Sequence, residues 1–348
     1  MTSANEGLPT GMGGLKYPVS QVSLVVNDLH RTMERYYEAF GWTGWRVFDH
    51  VEPMHHGTQL RGKHVPYSLR GAEVMVGSLN FELLEPLEGP SLWREFLEAR
   101  GEGIASIAVM FDTHEESTVV KDGFAKLGID VTMRALIGDH IEYYYLDTQD
   151  RFGCLIESGS GHAIDFVSAA EIYPPEDGSA VPPAQHRPNQ ITQVSLVVRD
   201  LDTKMRAWHE AFGWGPWKVF RSDGKVVMHD CTMDGKPVDY FNIRWAEVMV
   251  GDLNFELIEP IAGDNPWQRM LDQHGEGIGS IAVMFKTNEE SEAVKREFAQ
   301  AGMGVTASGR IGDHIEWYYL DTQPAFKCVI ESGSGHAIDF MTPEAIYP

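Results

Sequence analysis

Gln21-Val-Ser-Leu-Val-Val-Asn-Asp-Leu29 is a short β-branched run closed by an Asn-Asp pair, and it returns as Gln193-Val-Ser-Leu-Val-Val-Arg-Asp-Leu201. Outward from this stretch the offset of 172 holds through Glu38-Ala-Phe-Gly-Trp42 and Glu210-Ala-Phe-Gly-Trp214. After a two-residue insertion around 49–53 the offset becomes 174 and stays there. Glu73-Val-Met-Val-Gly77 then matches Glu247–Gly251, Gly101-Glu-Gly-Ile104 matches Gly275–Ile278, and Ile137-Gly-Asp-His-Ile-Glu142 matches Ile311–Glu316. Glu157-Ser-Gly-Ser-Gly-His-Ala-Ile-Asp-Phe166 recurs unchanged as Glu331–Phe340. A unit this long indicates a duplicated domain, because solenoid repeats run to only ~20–50 residues. The chain of 348 residues is therefore expected to hold a flexible lead at 1–17, a first domain at 18–174, a Pro-rich linker at 175–189 and a second domain at 190–348.

Each copy divides again. Gln21 to Val26 reads as a strand, and Asn27-Asp28 caps a helix over Leu29–Phe40 whose apolar members Met33, Tyr36, Tyr37 and Phe40 recur at three- and four-residue spacing. Gly41 ends it. Strands are expected near Trp45–Phe48, Ala72–Val76 and Asn80–Leu84. The second half repeats the order: strand Ile104–Phe111, helix Glu115–Leu127, then strands Val131–Ala135, His140–Leu146 and Gly153–Glu157. The fold class is α+β, a βαβββ unit written four times and paired into two domains.

Composition bounds the function. The chain has 43% hydrophobic and 11% aromatic residues, enough for a packed core. With 28 Lys plus Arg against 51 Asp plus Glu, the net charge of −23 repels phosphate backbones and anionic lipid, so neither nucleic acid nor membrane is an expected partner. Cys154, Cys231 and Cys328 form no CxxC and fit a reducing compartment. The start of the chain lacks a basic, apolar leader, and no run approaches the ~18–20 apolar residues of a membrane helix. A cytoplasmic protein with a small-molecule substrate is expected, and a homodimer is compatible with it.

The pattern resembles the vicinal oxygen chelate superfamily of glyoxalases, methylmalonyl-CoA epimerase, extradiol dioxygenases and bleomycin-resistance proteins. The resemblance rests on the openings Gln21–Leu29 and Gln193–Leu201, on Phe-Gly-Trp after the helix, on Phe81-Glu-Leu-Leu-Glu-Pro86 with Phe255–Pro260, and on Gly101-Glu-Gly-Ile104. It implies cup-shaped mixed sheets, and one divalent metal held by four side chains from the first and last strands of each unit. Carried over by position, the ligands fall on Gln21, Glu82, Ser106 and Glu157, and in the second copy on Gln193, Glu256, Ser280 and Glu331. Ser106 and Ser280 stand where the family has His. A hydroxyl is a poor ligand, so the set leans toward hard cations such as Mg²⁺ or Mn²⁺ rather than Zn²⁺ or Fe²⁺, or toward no metal. The missing His pair counts against extradiol dioxygenases.

Glu82, Glu157, Glu256 and Glu331 lie within apolar strands, where a carboxylate needs a metal, an Arg partner or a raised pKa. They are candidate bases or ligands, with Arg70 or Arg244 as alternative structural partners. Strand alternation sends His140, Glu142 and Tyr144 to one face and Ile141, Tyr143 and Tyr145 to the other. If the first face lines the cup, His140 and His314 become acid–base groups or replacement ligands, and Tyr144 and Tyr318 substrate contacts. Gln21, Gln193, Ser106, Ser280, His55 and His229 are further substrate-binding candidates. Glu73 with Glu247, His162 with His336, and the cations Arg61, Lys63 and Lys236 have weaker claims. The leading expectation is a lyase or isomerase that moves a proton at carbon next to a carbonyl of a small hydrophobic or aromatic compound. The alternatives are a metal-free binding protein of the resistance type and a divergent dioxygenase.

Overall fold

A computed structural model of the chain describes residues 18–180, 183, 189–223 and 228–348. The expected lead at 1–17 and the linker residues 181, 182 and 184–188 lie outside the described residues. The chain divides into two compact units, Met1–Asn189 and Gln190–Pro348.

In chain order the first unit contains β1 (Gln21–Val25), α1 (Leu29–Phe40), β2 (Trp45–His50), β3 (His55–Leu60), β4 (Lys63–His64), β5 (Leu69–Val76) and β6 (Leu79–Pro86). It continues with α2 (Leu92–Arg100), β7 (Gly103–Phe111), α3 (His114–Lys126), β8 (Val131–Ile137) and β9 (Ile141–Leu146). Last come α4 (Gln149–Phe152), β10 (Leu155–Ser160), α5 (Ala163–Phe166) and β11 (Glu171–Tyr173). One curled, mixed sheet of 11 strands takes the order β11-β2-β5-β6-β1-β7-β10-β9-β8-β3-β4. The second unit repeats this order strand for strand. The βαβββ halves of a copy thus pair with each other, since β1 lies parallel to β6 and antiparallel to β7.

Local chemistry accounts for the frame. Asp28 caps α1 by accepting from Arg31 N, and Gly41 closes it in a left-handed conformation at φ 69° with its N–H on Tyr37 O. The buried stripe of α1 packs on the outer face of the sheet, where Tyr36 meets Phe81 edge-on at 4.8 Å. On the outer face over β9 and β10, Tyr144 OH donates to Ser117 O of α3. The inner face carries the opposite strand parity. Tyr143, Tyr145, Leu69, Leu84 and Met133 pack there with Trp93 of α2.

Helices α2, α4 and α5 and strands β3, β4 and β11 were not anticipated, and β3 crosses from the first half to pair with β8 of the second. The last expected strand, Gly153–Glu157, begins later and runs over Leu155–Ser160, because Gln149–Phe152 forms a helical turn ahead of it.

Candidate functional site

Polar residues on the inner face of the central strands meet at the floor of the cup. Register explains the meeting. Gln21 sits opposite Asn80 on one side and Ala108 on the other, and Ala108 in turn faces Glu157. One pleat along, Ser23 sits between Glu82 and Ser106, and Glu82 faces Glu73. Two carboxylates directly opposite in a sheet repel, so their neighbours must compensate.

The compensation is a directed chain of hydrogen bonds. Ile164 N and Asn80 Nδ2 both donate to Glu73 Oε2, at 3.2 and 2.7 Å. Asn80 Nδ2 also donates to Gln21 Oε1 at 2.9 Å, and His162 Nδ1 approaches the same oxygen at 3.0 Å. With its oxygen engaged, Gln21 turns its amide nitrogen to Glu82 Oε2 at 2.8 Å and Glu157 Oε2 at 3.4 Å. Trp93 Nε1 donates to Tyr145 OH at 3.0 Å, and Tyr145 OH donates to Glu157 Oε2 at 2.8 Å. The second unit rebuilds the chain: Ile338 N and Asn254 Nδ2 to Glu247, Asn254 Nδ2 to Gln193 Oε1, and Gln193 Nε2 to Glu256 Oε2 at 2.8 Å. There Ser195 adds a bond to Glu256 at 2.6 Å, and Ser280 reaches Glu331 at 3.4 Å.

Burial raises all of these carboxyls. Glu82 is pushed well above the ordinary range by desolvation and then by the charges of Glu157 and Glu73. Desolvation lifts Glu157 to about 7 against the Tyr145 hydrogen bond, which pulls the other way. Glu73 reaches about 7 for the same first reason. In the second unit Glu256 is raised well above its usual value, Glu331 to about 8, and Glu247 in the same direction. Burial lowers His162 and His336, which keeps both imidazoles neutral.

These floors open into cavities of about 430 Å³ in the first unit and 510 Å³ in the second, counted with their open mouths. Trp93, Tyr143, Tyr145, Ile137 and Ile141 wall the first.

The arrangement does not fit a divalent cation. Coordination by glutamine uses its oxygen, yet the Asn80 bond fixes that oxygen away from Glu82 and Glu157 and leaves an N–H donor between them. The remaining donors are the carboxyls and a serine hydroxyl, with no imidazole on the carboxylate pair. Among the described residues no group of three or more His, Cys, Asp or Glu is placed to hold a metal ion. Of the residues expected to form metal sites, Gln21 is hydrogen-bonded to Glu82 and Glu157, Gln193 to Glu256, and Glu331 to Ser280. Ser106 is fully buried and its hydroxyl has no hydrogen-bond partner among the described residues.

Other sequence expectations are redistributed. It is Ile141, Tyr143 and Tyr145 that face the cup, so His140, Glu142 and Tyr144 point to the outer face. His140 and His314 are exposed and stack on Phe166 and Phe340. Tyr144 and Tyr318 bond Ser117 and Ser291 on the helices. Arg70 pairs with Asp49 at 2.7 Å and Arg244 with Asp202 at 3.1 Å, so neither neutralises a floor carboxyl. Arg61 pairs with Glu95, and Lys63 and Lys236 are exposed. His55 and His229 are not equivalents. Strand register aligns His55 with Met228 and His56 with His229, and the latter two each approach a turn carbonyl, Gly138 O and Gly312 O. His55 is buried against Tyr143 OH at 2.8 Å, outside the cavity lining, and His229 is exposed. Asn80, Trp93 and Tyr145 were missed. Asn80 and Glu82 share strand parity, which could have flagged the first.

A family model for the glyoxalase/bleomycin resistance protein/dioxygenase superfamily matches residues 192–319. No curated protein matches significantly. Among solved structures, a variant of 4-hydroxymandelate synthase from Streptomyces coelicolor superposes with a TM-score of 0.55 at 13% identity, over 92% of this chain and 94% of that one. A manganese-bound glyoxalase from Novosphingobium aromaticivorans gives 0.47 at 12% identity, over 91% and 82% of the two chains. A halotolerant catechol dioxygenase gives 0.47 at 15%, over 92% and 87%. At such identities the likeness is one of fold, and the synthase alone of the three exceeds 0.5. The second copy thus carries the match to the glyoxalase/bleomycin resistance protein/dioxygenase superfamily, and the first repeats its strand order and floor residues, so the chain holds two tandem curled-sheet domains of this fold.

Proposed function

We propose that each cup binds a small, largely apolar carbonyl compound and moves a proton at the carbon next to its carbonyl, as an isomerase or lyase does. The observation that carries this reading is the pair Glu82 and Glu157, bridged by Gln21 Nε2 beneath an aromatic cavity, with Glu256 and Glu331 lining the matching cavity of the second unit and Gln193 Nε2 on Glu256. Two carboxyls this close do not both ionise, so above the first ionisation the pair keeps one proton. The ionised member takes the proton from carbon. The protonated member gives its own to the carbonyl oxygen as the enol forms, and reversal returns a proton to carbon. Gln21 holds the two in register, Tyr145 steadies negative charge on Glu157, and Trp93 with the surrounding rings keeps water away.

One feature favours a second reading. Floor carboxyls facing the rings of Trp93, Tyr143 and Tyr145 suit a cationic ligand held without reaction. Incubation with simple ketones in heavy water separates the two. Proton transfer predicts deuterium at the carbon next to the carbonyl, and a loss of at least ~100-fold when Glu157→Gln and Glu331→Gln are combined. Binding with no exchange above buffer would leave only sequestration.

A further inference from the structure

The two floors are alike, but the walls above them are exchanged in a paired way. His50 of β2 lines the first cavity, and register places Ser222 at its position in the second unit. Gly71 of β5, diagonal to His50 on the same face, corresponds to Trp245. The two differences answer each other. In the first unit His50 Nε2 lies 3.2 Å from where a Cβ on Gly71 would stand, so the imidazole uses the space that a side chain there would take. In the second unit the ring comes from the neighbouring strand as Trp245, and the position of His50 shrinks to serine.

The exchange alters what each wall offers a ligand. His50 is 3% exposed, lines the cavity, and has its ring 5.9 Å from that of Phe48 and 6.2 Å from that of His55. Burial, with His55 beside it, lowers its pKa to about 3, so the ring is neutral and presents one N–H and one lone pair. A ligand hydroxyl that reaches this wall can accept its N–H or donate to its lone pair. Trp245 offers nothing equivalent, because its Nε1 donates to Glu247 Oε1 at 3.0 Å. Around it Met228, Ile243, Ile311, Ile315 and Trp317 complete an apolar wall.

We infer that the cups take different members of one ligand class: the first a carbonyl compound bearing a hydroxyl that His50 holds, the second its counterpart without the hydroxyl. The carbonyl part rests on the function proposed above, and the discrimination rests on the wall alone. His50 is then the residue that sets specificity in the first cup.

The test uses the full chain with 4-hydroxyacetophenone and acetophenone, followed by calorimetry and by competition in ligand-observed NMR. Each ketone should fill one favoured site per chain, and the two should bind together rather than displace each other. His50→Phe, which keeps a ring but removes its nitrogens, should weaken the hydroxylated ketone about tenfold and leave acetophenone unchanged. Ser222→His with Trp245→Gly should add a second favoured site for the hydroxylated ketone. Mutual displacement with equal affinities, an unchanged preference in His50→Phe, or binding of neither ketone would overturn the inference. The competition needs only wild-type protein, so a variant that misfolds does not decide the matter. Selective binding without deuterium exchange would remove the proton-transfer reading and leave this one standing. Exchange of both ketones without discrimination would do the reverse.

Discussion

Glu157 has one hydrogen bond that most favours its charge, the 2.8 Å contact from Tyr145 OH, and that bond opposes the desolvation raising its pKa. Tyr145→Phe removes the opposing influence, so the carboxyl should hold its proton to higher pH. The sign follows: the exchanging form is the ionised one, and its appearance, centred at about 7 in the native first unit, moves upward. The measurement is the pH profile of deuterium exchange in a background carrying Glu256→Gln and Glu331→Gln, which silences the second cup. An unmoved or downward-shifted profile would show that Glu157 is not the group titrating. At this scale the sequence was legible where polarity contradicts its surroundings. Gln21, Glu82 and Glu157 stand out because apolar neighbours surround them in strands. His140 and Tyr144 misled because alternation separates two faces without saying which is concave; only the curl of the sheet decides.

The strand β10 and the turn after it deliver Glu157 and His162 to the floor, and one glycine of the repeated stretch Glu157–Phe166 meets a steric requirement. Gly159 has φ 147°, and a Cβ there would lie 1.9 Å from Glu142 O on β9. Gly333 repeats this at φ 140° against Glu316 O. Gly159→Ala should therefore separate β9 from β10 and lower stability by at least ~3 kcal/mol, measured by urea unfolding, with loss of exchange at the first cup. A change below ~1 kcal/mol would mean that the strands are not held this closely. The main strands and helices α1 and α3 were legible because their periodicity is strong. Strand β3, His-His-Gly-Thr-Gln-Leu, has few strand-forming residues, and its state is set by pairing with β8. Helix α2 has a Ser91 cap and buries Leu92 and Trp93, a short signal lost between two longer runs.

Across the whole molecule the acidity divides into two kinds. Most of the 51 acidic residues are solvated and contribute to the charge of −23, while three in each unit are buried at the cup floor with raised pKa values. Duplication kept that floor and the chain of amides that orients it. It did not keep the wall, where His50 and Gly71 became Ser222 and Trp245. The sequence showed the duplication and the family likeness plainly, but not the exchange of walls, since the pairing of neighbours across β2 and β5 appears only when the strands are in register. The central claim is that each cup holds a carboxylic acid at neutral pH. Infrared difference spectroscopy of the intact protein against the variant carrying Glu82→Gln, Glu157→Gln, Glu256→Gln and Glu331→Gln reads it directly. The account predicts a protonated-carboxyl band near pH 7 that weakens as pH rises past about 8 and is diminished in the variant. A wild-type spectrum with every carboxyl ionised near pH 7 would contradict it.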